Sequence, residues 1–377
     1  MIETLLVLNT GSSSLKFRVF ASDSLAVLMR GKVSGIGTRA ALDARIEGSG
    51  ETITDVLDSN GHDAALLAVL GLIDKHDDGW KITAVVHRVV HGGQQFVEPV
   101  IVTPAILGKL EALIPLAPLH QPYNLAGIEA SHEMAVHAAD IACFDTAFHA
   151  RQDPLFTTFA IEAELRDKGV RRYGFHGLSY EWISRVLAED HPHLASGRVV
   201  AAHLGNGASL CAIENGRSVD TTMGMTALDG LPMGTRSGAI DPGAVTFMLR
   251  ELGMGAIDVE DMLYERSGLK GLSGFTGDVE TLLASTDPRA AFALDYFALK
   301  VAQYAAMMAA SMGGIDALVF TGGIGEHAEP IRAAVVKRLA FLGGFQTLVI
   351  AANEERMMAL HARELFGKRD HAKSNGL

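Results

Sequence analysis

The chain has 377 residues, more than one core ordinarily holds, and its 48% hydrophobic and 20% charged residues are the balance of a folded globular protein. A net charge of −12 argues against a nucleic-acid-binding face, so any anion handled here must meet locally gathered arginines. MIETLLVLNT lacks the basic start and apolar length of a secretion signal, and the longest apolar segment, Phe292–Met312, is broken by Asp295, Lys300 and Gln303. A cytoplasmic protein with no membrane span and no nucleic-acid partner is the expectation.

In chain order, the first predicted strand is Leu5–Leu8. It runs into Asn9-Thr10-Gly11-Ser12-Ser13-Ser14 and resumes as the alternating Leu15–Phe20, a hairpin whose tip of glycine, hydroxyls and Lys16 suits a phosphate. It is not a Walker loop, which requires G-x-x-x-x-G-K-[ST] and a following helix. Periodicity then predicts a helix at Asp63–Lys75, a strand at Ile82–Val90, helices at Thr103–Leu113 and Asn124–His137, and a strand at Ile141–Phe144. Next come a helix at Ser179–Asp190, strands at Val199–Leu204 and Leu210–Ile213, and helices at Ala244–Leu252 and Pro288–Met312, the last a buried or interface helix. The strand Ala317–Phe320 and the helices Ile331–Leu342 and Glu354–Phe366 complete an α/β alternation in which helices cover central sheets. Cys143 and Cys211 both fall in predicted strands, without CxxC or Cys/His spacing, and read as buried reduced thiols of a reducing cytosol.

LLVLNTGSSSLKFRVF and VVAAHLGNGASLCAIENG share one plan: an apolar strand, a tip of Gly, Asn, Ser and Ala, and a second apolar strand, with Ser14 set against Ser209. Either two hairpins are alike by chance, or each opens one half of a duplicated two-domain molecule with a cleft between the halves. A third tip, LVFTGGIGE, puts Gly322, Gly323 and Gly325 after a strand, where backbone N–H groups can face an anion or a helix can pack tightly.

Several polar residues occupy places that ask for an explanation. Arg88 ends a buried strand in VVHRVVHGG, so it is either ion-paired or functional. Arg236 sits in GLPMGTRSGAIDPG, a turn-rich segment that presents a guanidinium rigidly or leaves it in solvent. His176 precedes a predicted helix, and Asp145 directly follows an apolar strand, where α/β sheets place functional carboxylates as well as turn-forming ones. Glu354 and Glu355 open the last helix behind Asn353, a natural N-cap. Three glycine-rich tips, two arginines, an aspartate and a histidine fit phosphoryl transfer, in which positioning and charge neutralisation dominate. A dinucleotide oxidoreductase is set aside for want of G-x-G-x-x-G with a downstream acid.

Ordered nearly end to end, LNTGSSSLKF, HRVVHGG, PLHQPYNL, FDTAFH, RRYGFHG, HLGNGAS, DTTMGMTALDGLPMGTRSG, FTGGIGEH and NEE resemble the acetate kinases of the acetokinase family, within the actin-like superfamily of acetate and sugar kinases. The resemblance implies a duplicated two-domain, actin-like (ribonuclease H-like) α/β fold with ATP in an interdomain cleft. It implies an N-terminal domain, 1–147, joined by a returning helix, 354–377, and a nucleotide-binding and dimerisation domain, 148–353. The reaction implied is reversible transfer of the ATP γ-phosphoryl to acetate, giving acetyl phosphate and ADP, with Mg²⁺ or Mn²⁺ and a homodimeric enzyme. Carried over position by position, Asp145, His176 and Arg236 would be catalytic, and Arg88, Val90, Leu119, His120, Phe175 and Ala227 would hold the acyl substrate. Ser12, Ser14, Lys16, His203, Leu204, Gly205, Asn206, Gly207, Asp278, Val279, Glu280, Gly323, Ile324, Gly325, Glu326 and His327 would face the nucleotide, with Asn9 and Glu354 at the metal.

Three positions depart from the family pattern. Ala227 replaces a proline beside the acyl pocket, opening it toward propionate; Glu280 stands where arginine is expected near adenosine; His327 replaces asparagine. The stretch from Gly325 to Glu354 is also shorter than the family leads one to expect. A short-chain acyl kinase and, more remotely, a superfamily ATPase without a small acceptor are the alternatives.

Overall fold

The computed structural model describes residues 2–76 and 79–374. Met1 and the last three positions of the expected helix 354–377 lie outside the described residues. Two compact units emerge, residues 1–147 with 353–377, and residues 148–352.

The first unit is built on an eight-stranded sheet: β1 (Ile2–Thr10), β2 (Ser14–Ala21), β3 (Val27–Ser34), β4 (Ala41–Ile46), β5 (Thr52–Val56), β6 (Trp80–Val89), β7 (Val100–Ile101) and β8 (Ala139–Phe144). They lie in the order β5-β4-β3-β2-β1-β6-β8-β7. β1 to β5 form an antiparallel meander, whereas β6 and β8 run parallel to β1. Central β1 reads as an unbroken apolar run because both of its faces are covered. Leu6 and Leu8 meet Leu66, Val69 and Ile73 of the helix His62–His76. Leu5 and Val7, on the opposite face by the two-residue period, are equally buried, and the terminal helix Glu354–Ser374 packs on β1, β6 and β8.

The second unit carries five strands, β9 (Arg198–Leu204), β10 (Ala208–Glu214), β11 (Arg217–Thr221), β12 (Ala317–Thr321) and β13 (Gln346–Val349), ordered β11-β10-β9-β12-β13. Again an antiparallel hairpin and third strand are followed by two parallel strands. This repeats β3-β2-β1-β6-β8 strand for strand, so the sequence echo between the two hairpins is a duplication of topology. Tyr180, Ile183 and Leu187 of the helix Gly177–Asp190 pack on Ala201, Cys211 and Val319. The helix Pro288–Ser311 lies against β9, β10 and β11 and buries a stripe that includes Ala290, Phe297, Val301 and Met308.

Local chemistry accounts for most helix starts. Thr103, Asp241 and Asp287 cap helices whose first residues are Pro104, Pro242 and Pro288, with each capping oxygen accepting a backbone N–H. Two expectations are corrected. Strands β3, β4 and β5 are absent from the predicted elements: in β3 and β4 Arg30, Lys32 and Asp43 alternate with buried Met29, Val33, Leu42 and Ala44, so one face only is apolar, and β5 is an almost wholly exposed edge strand. The predicted helix Ile331–Leu342 is instead Glu329–Arg338 followed by a single tight turn, Ala340–Leu342, closed by Gly343 at φ 86°. Both thiols, Cys143 and Cys211, are buried and free. Among the described residues no helix is long and apolar enough to cross a membrane.

Candidate active site

The first unit gathers its polar residues at the ends of three neighbouring strands. β6 and β8 are parallel, with Val89 beside Phe144, so Arg88 and the residue that follows β8, Asp145, stand next to each other. Arg88 donates from Nε to Asp145 Oδ1 at 2.9 Å and from Nη2 to Oδ2 at 2.7 Å, a bidentate fork, while the Asp145 backbone N–H donates to Val89 O. Burial by itself would pull the Arg88 guanidinium down; Asp145, with Glu354 and Glu355 nearby, outweighs it and holds the group above its ordinary range. Two nitrogens of Arg88 are thereby committed, leaving Nη1 to grip an acceptor.

Asn9, the penultimate residue of β1, stands opposite Lys16 of β2. The tip between them is closed by a hydrogen bond from Gly11 N to Ser14 O, with Ser12 exposed and Ser14 half-buried. Glu354 follows Asn353, whose Oδ1 accepts from Arg356 N at 3.3 Å and from Arg18 Nη1 at 2.9 Å, so a β2 arginine pins the start of the terminal helix. Val90 is half-buried, His120 immediately precedes the helix Gln121–Met134, and Leu119 is exposed. Sequence reasoning missed Asn124 and Gln121. Asn124 donates from Nδ2 to Thr10 O at 2.8 Å and accepts from Val90 N at 3.0 Å, and Gln121 accepts from His91 N and donates to His91 O. Both stand in PLHQPYNL, yet no spacing rule links an amide to backbone atoms so far away in the chain.

In the second unit, His176 occupies the N-cap position of Gly177–Asp190 in the left-handed region, φ 58° and ψ 23°, an uncommon conformation for a residue with a Cβ. Its ring stacks on that of His203, with centroids 4.4 Å apart. Gly207, in the β9–β10 tip, passes so close that a Cβ there would lie 3.3 Å from His176 Nε2. Arg236 lies in a segment without helix or strand; its Nη1 donates to Ala227 O at 3.1 Å, and its guanidinium carbon sits 5.8 Å from the Tyr264 ring centre. Phe175 is buried and its carbonyl bonds His149 Nε2.

A pocket of about 780 Å³ opens in this unit and is lined by Gly205, Asn206, Asp278, Val279, Glu280, Gly323, Ile324 and His327 among the expected nucleotide residues, with Thr235, Gly277, Leu283 and Ala328 added. The structure does not bring His203, Leu204, Gly207, Gly325 or Glu326 into that lining. His203 and Gly207 accompany His176 instead. Leu204 and Gly325 are buried, and Glu326 Oε1 accepts from Gly322 N and Ala352 N, which holds the glycine tip. Gly322 itself, at φ 77°, has Leu204 O where a Cβ would go. Asp278 Oδ1 caps the helix Val279–Ala284 by accepting from Thr281 N and Oγ1, and these hydrogen bonds hold its carboxyl below the usual range.

Two units that repeat one strand order, one presenting an Arg–Asp fork and the other a glycine-tipped pocket, have the architecture of the actin-like phosphotransferases. The acetokinase family profile matches residues 4–360, and the chain belongs to that family. It is 47% identical over 349 residues to the acetate kinase of Rhodopseudomonas palustris (strain TIE-1), covering 91% of this chain and 88% of the relative. The solved propionate kinase of Francisella tularensis superposes with a TM-score of 0.90 at 36% identity, covering 96% of this chain and 99% of that one. The acetate kinase of Porphyromonas gingivalis gives 0.85 at 34% identity, covering 97% and 100%. The enzyme class that accompanies this family is phosphoryl transfer to a carboxyl acceptor.

Proposed function

We propose that the chain transfers the γ-phosphoryl of ATP reversibly to acetate, forming acetyl phosphate and ADP. The observation that carries this reading is the bidentate Arg88–Asp145 fork at adjacent strand ends, which leaves one guanidinium nitrogen for a small carboxylate. A carboxylate acceptor with a pKa of about 4 is ionised at neutral pH and needs no base. The barrier lies in bringing one anion onto another, which cations and hydrogen-bond donors lower. In this reading Arg88 orients acetate beside Val90, Leu119, His120, Phe175 and Ala227, while His176 and Arg236 stabilise the transferring phosphoryl. Asp145 orders the acceptor and metal side rather than removing a proton. The pocket in the second unit receives adenosine, with Lys16, Ser12 and Ser14 directed to the phosphates.

The donors Asn9, Asp145 and Glu354 are hard oxygen ligands of the kind Mg²⁺ or Mn²⁺ takes. Mg²⁺ is commonly bound through one or two carboxylates together with substrate phosphates. When bound, Mg²⁺ supplies charge neutralisation at the phosphate oxygens.

Ala227 in place of the family proline favours an alternative acceptor, propionate, since each methylene in an apolar pocket is worth about 1–3 kcal/mol. A second copy of the chain is the proposed partner, and a cytoplasmic location agrees with the reduced, buried Cys143 and Cys211. Hydroxylamine trapping with ATP, Mg²⁺ and acetate, propionate or butyrate tests the proposal. Hydroxamate from acetate with the highest kcat/KM is expected; a higher value for propionate selects the alternative, and no hydroxamate from any acid overturns both.

A further inference from the structure

The first sheet carries an arginine, Arg18, that the phosphoryl-transfer reading leaves without a role. Side chains directly opposite in paired strands point to the same side. The pairs Val7–Arg18, Asn9–Lys16 and Val7–Val86 therefore put Arg18 on one face with Lys16, Arg88 and the proposed metal donor Asn9. Arg18 is half-buried and reaches the start of the terminal helix. Its Nη1 donates to Asn353 Oδ1 at 2.9 Å, and its Nη2 stands 3.7 Å from Glu355 Oε2. Arg18 Nη1 and Arg356 N, the two partners of Asn353 Oδ1, can only donate, so the amide orientation and the direction of both bonds are fixed.

Consecutive helix residues project about 100° apart, so Glu354 and Glu355 cannot serve one direction. Holding Glu355 beside Arg18 turns Glu354 toward a different neighbour. Both acids act on Arg88, Glu354 more strongly than Glu355, which agrees with Glu354 being the acid turned to the Arg88–Asp145 fork. Farther along, the helix is docked without Arg18: Met357, Met358, Leu360 and Ala362 are buried. Arg356 Nη1 donates to Leu25 O and Arg363 Nη1 to Asp23 O, each at 3.2 Å. Loss of Arg18 thus loosens the first turn and leaves the rest of the helix in place.

We propose that Arg18 is a positioning residue that, by holding Asn353 and Glu355, sets the rotation of the first helical turn and presents Glu354 to the metal. The inference rests on the reading of Glu354 as a metal donor. It adds a division of labour within Asn353-Glu354-Glu355, in which the outer two anchor the turn and the middle one is offered to the ion. Arginine suits the anchor because its planar fork meets an amide oxygen and a carboxylate at once, whereas a lysine amine concentrates its donors at one point.

Mn²⁺ binding to the full-length chain in the presence of ADP, followed by the paramagnetic resonance signal of the free ion, tests this apart from turnover. Arg18→Met is expected to weaken Mn²⁺ about tenfold or more, the usual loss when a residue behind a metal donor is removed, with metal-free ADP affinity within about twofold. Turnover at limiting Mg²⁺ should fall in step and recover as Mg²⁺ is raised. Arg18→Lys should fall between wild type and Arg18→Met. Asn353→Asp keeps the cap and an acceptor for Arg18 and should bind Mn²⁺ as wild type does. Asn353→Ala removes the acceptor and should weaken Mn²⁺ as Arg18→Met does, which decides the question should Arg18→Met fail to fold. Glu354→Gln separates the proposal from the reading beneath it. If Glu354→Gln leaves Mn²⁺ binding intact, the metal assignment fails and the proposal with it. If Glu354→Gln weakens binding while a folded Arg18→Met or Asn353→Ala does not, the metal assignment stands and the role of Arg18 is overturned.

Discussion

Arg88 and Arg236 carry the same charge into different company. Arg88 is forked onto a buried carboxylate, whereas Arg236 lies against the Ala227 carbonyl and the Tyr264 ring on a rigid turn-rich segment. An arginine held in that way can meet charge that develops only as the phosphoryl moves. Arg236→Ala should therefore lower kcat by about 10³-fold while nucleotide affinity changes by less than about threefold, and Arg236→Lys should restore little because it lacks the planar fork. Steady-state kinetics with a nucleotide titration decide it; equal losses in kcat and affinity would remove the assigned role. His91 makes a second prediction. Burial pushes its imidazole down to about 4, and its Nδ1 accepts from Gly93 N at 2.9 Å. The unfolded chain, with an ordinary histidine near 6.5, thus takes up the proton first as pH falls. Stability is complete above about pH 6.5 and declines toward pH 4, by up to about 3 kcal/mol from this group. His91→Gln keeps an acceptor for Gly93 and should flatten that decline in urea titrations at pH 7 and pH 4.5; identical pH slopes in the two proteins would count against it.

At the scale of elements, the first-unit site depends on how strand ends are tied together. Asn124, from the first turn of Gln121–Met134, bridges the end of β1 at Thr10 and the residue after β6, Val90. Asn124→Ala leaves a carbonyl and an N–H without that partner in a closed place, a loss of about 2–4 kcal/mol. Urea denaturation measures it, and Asn124→Asp, which cannot donate to Thr10 O, should recover little; a variant as stable as wild type would mean the bridge is dispensable. The helix Pro288–Ser311 teaches a different lesson. Its apolarity reads as either burial or interface, and it packs on β9, β10 and β11 and on the helices Gly268–Ser273, Val279–Ala284 and Glu329–Arg338, although Phe292, Leu299 and Met307 remain exposed.

For the whole molecule, duplication explains why two hairpin tips of related sequence occur. Each opens a sheet of the same strand order and directs its polar tip away from an apolar core. The largest exposed apolar residues of the second unit include Phe247 and Leu252, at or just beyond the helix Pro242–Arg250, in which no residue is buried, and Ile257 nearby. We propose that these exposed residues contact a second copy of the chain. Light scattering should give about twice the 40.1 kDa chain mass, and Phe247→Glu with Leu252→Glu should halve it. A dimer unaffected by both substitutions would locate the contact elsewhere.

Much of the fold was legible beforehand because strands, helices and caps are dictated by near neighbours in the chain. Apolar runs such as Leu5–Leu8, Asn353 capping the last helix, and glycine at the tips need no distant partner to be recognised. The ordered motifs likewise identified the acetokinase resemblance. What the sequence alone left open were the pairings: whether Arg88 is ion-paired or waiting for a ligand, and what stands behind His176. Arg88 and Asp145 lie 57 positions apart, His176 and Ser209 33, and Thr10 and Asn124 114. They meet only because particular strands and helices become neighbours, and that adjacency is a property of sheet order and core packing, which periodicity does not encode.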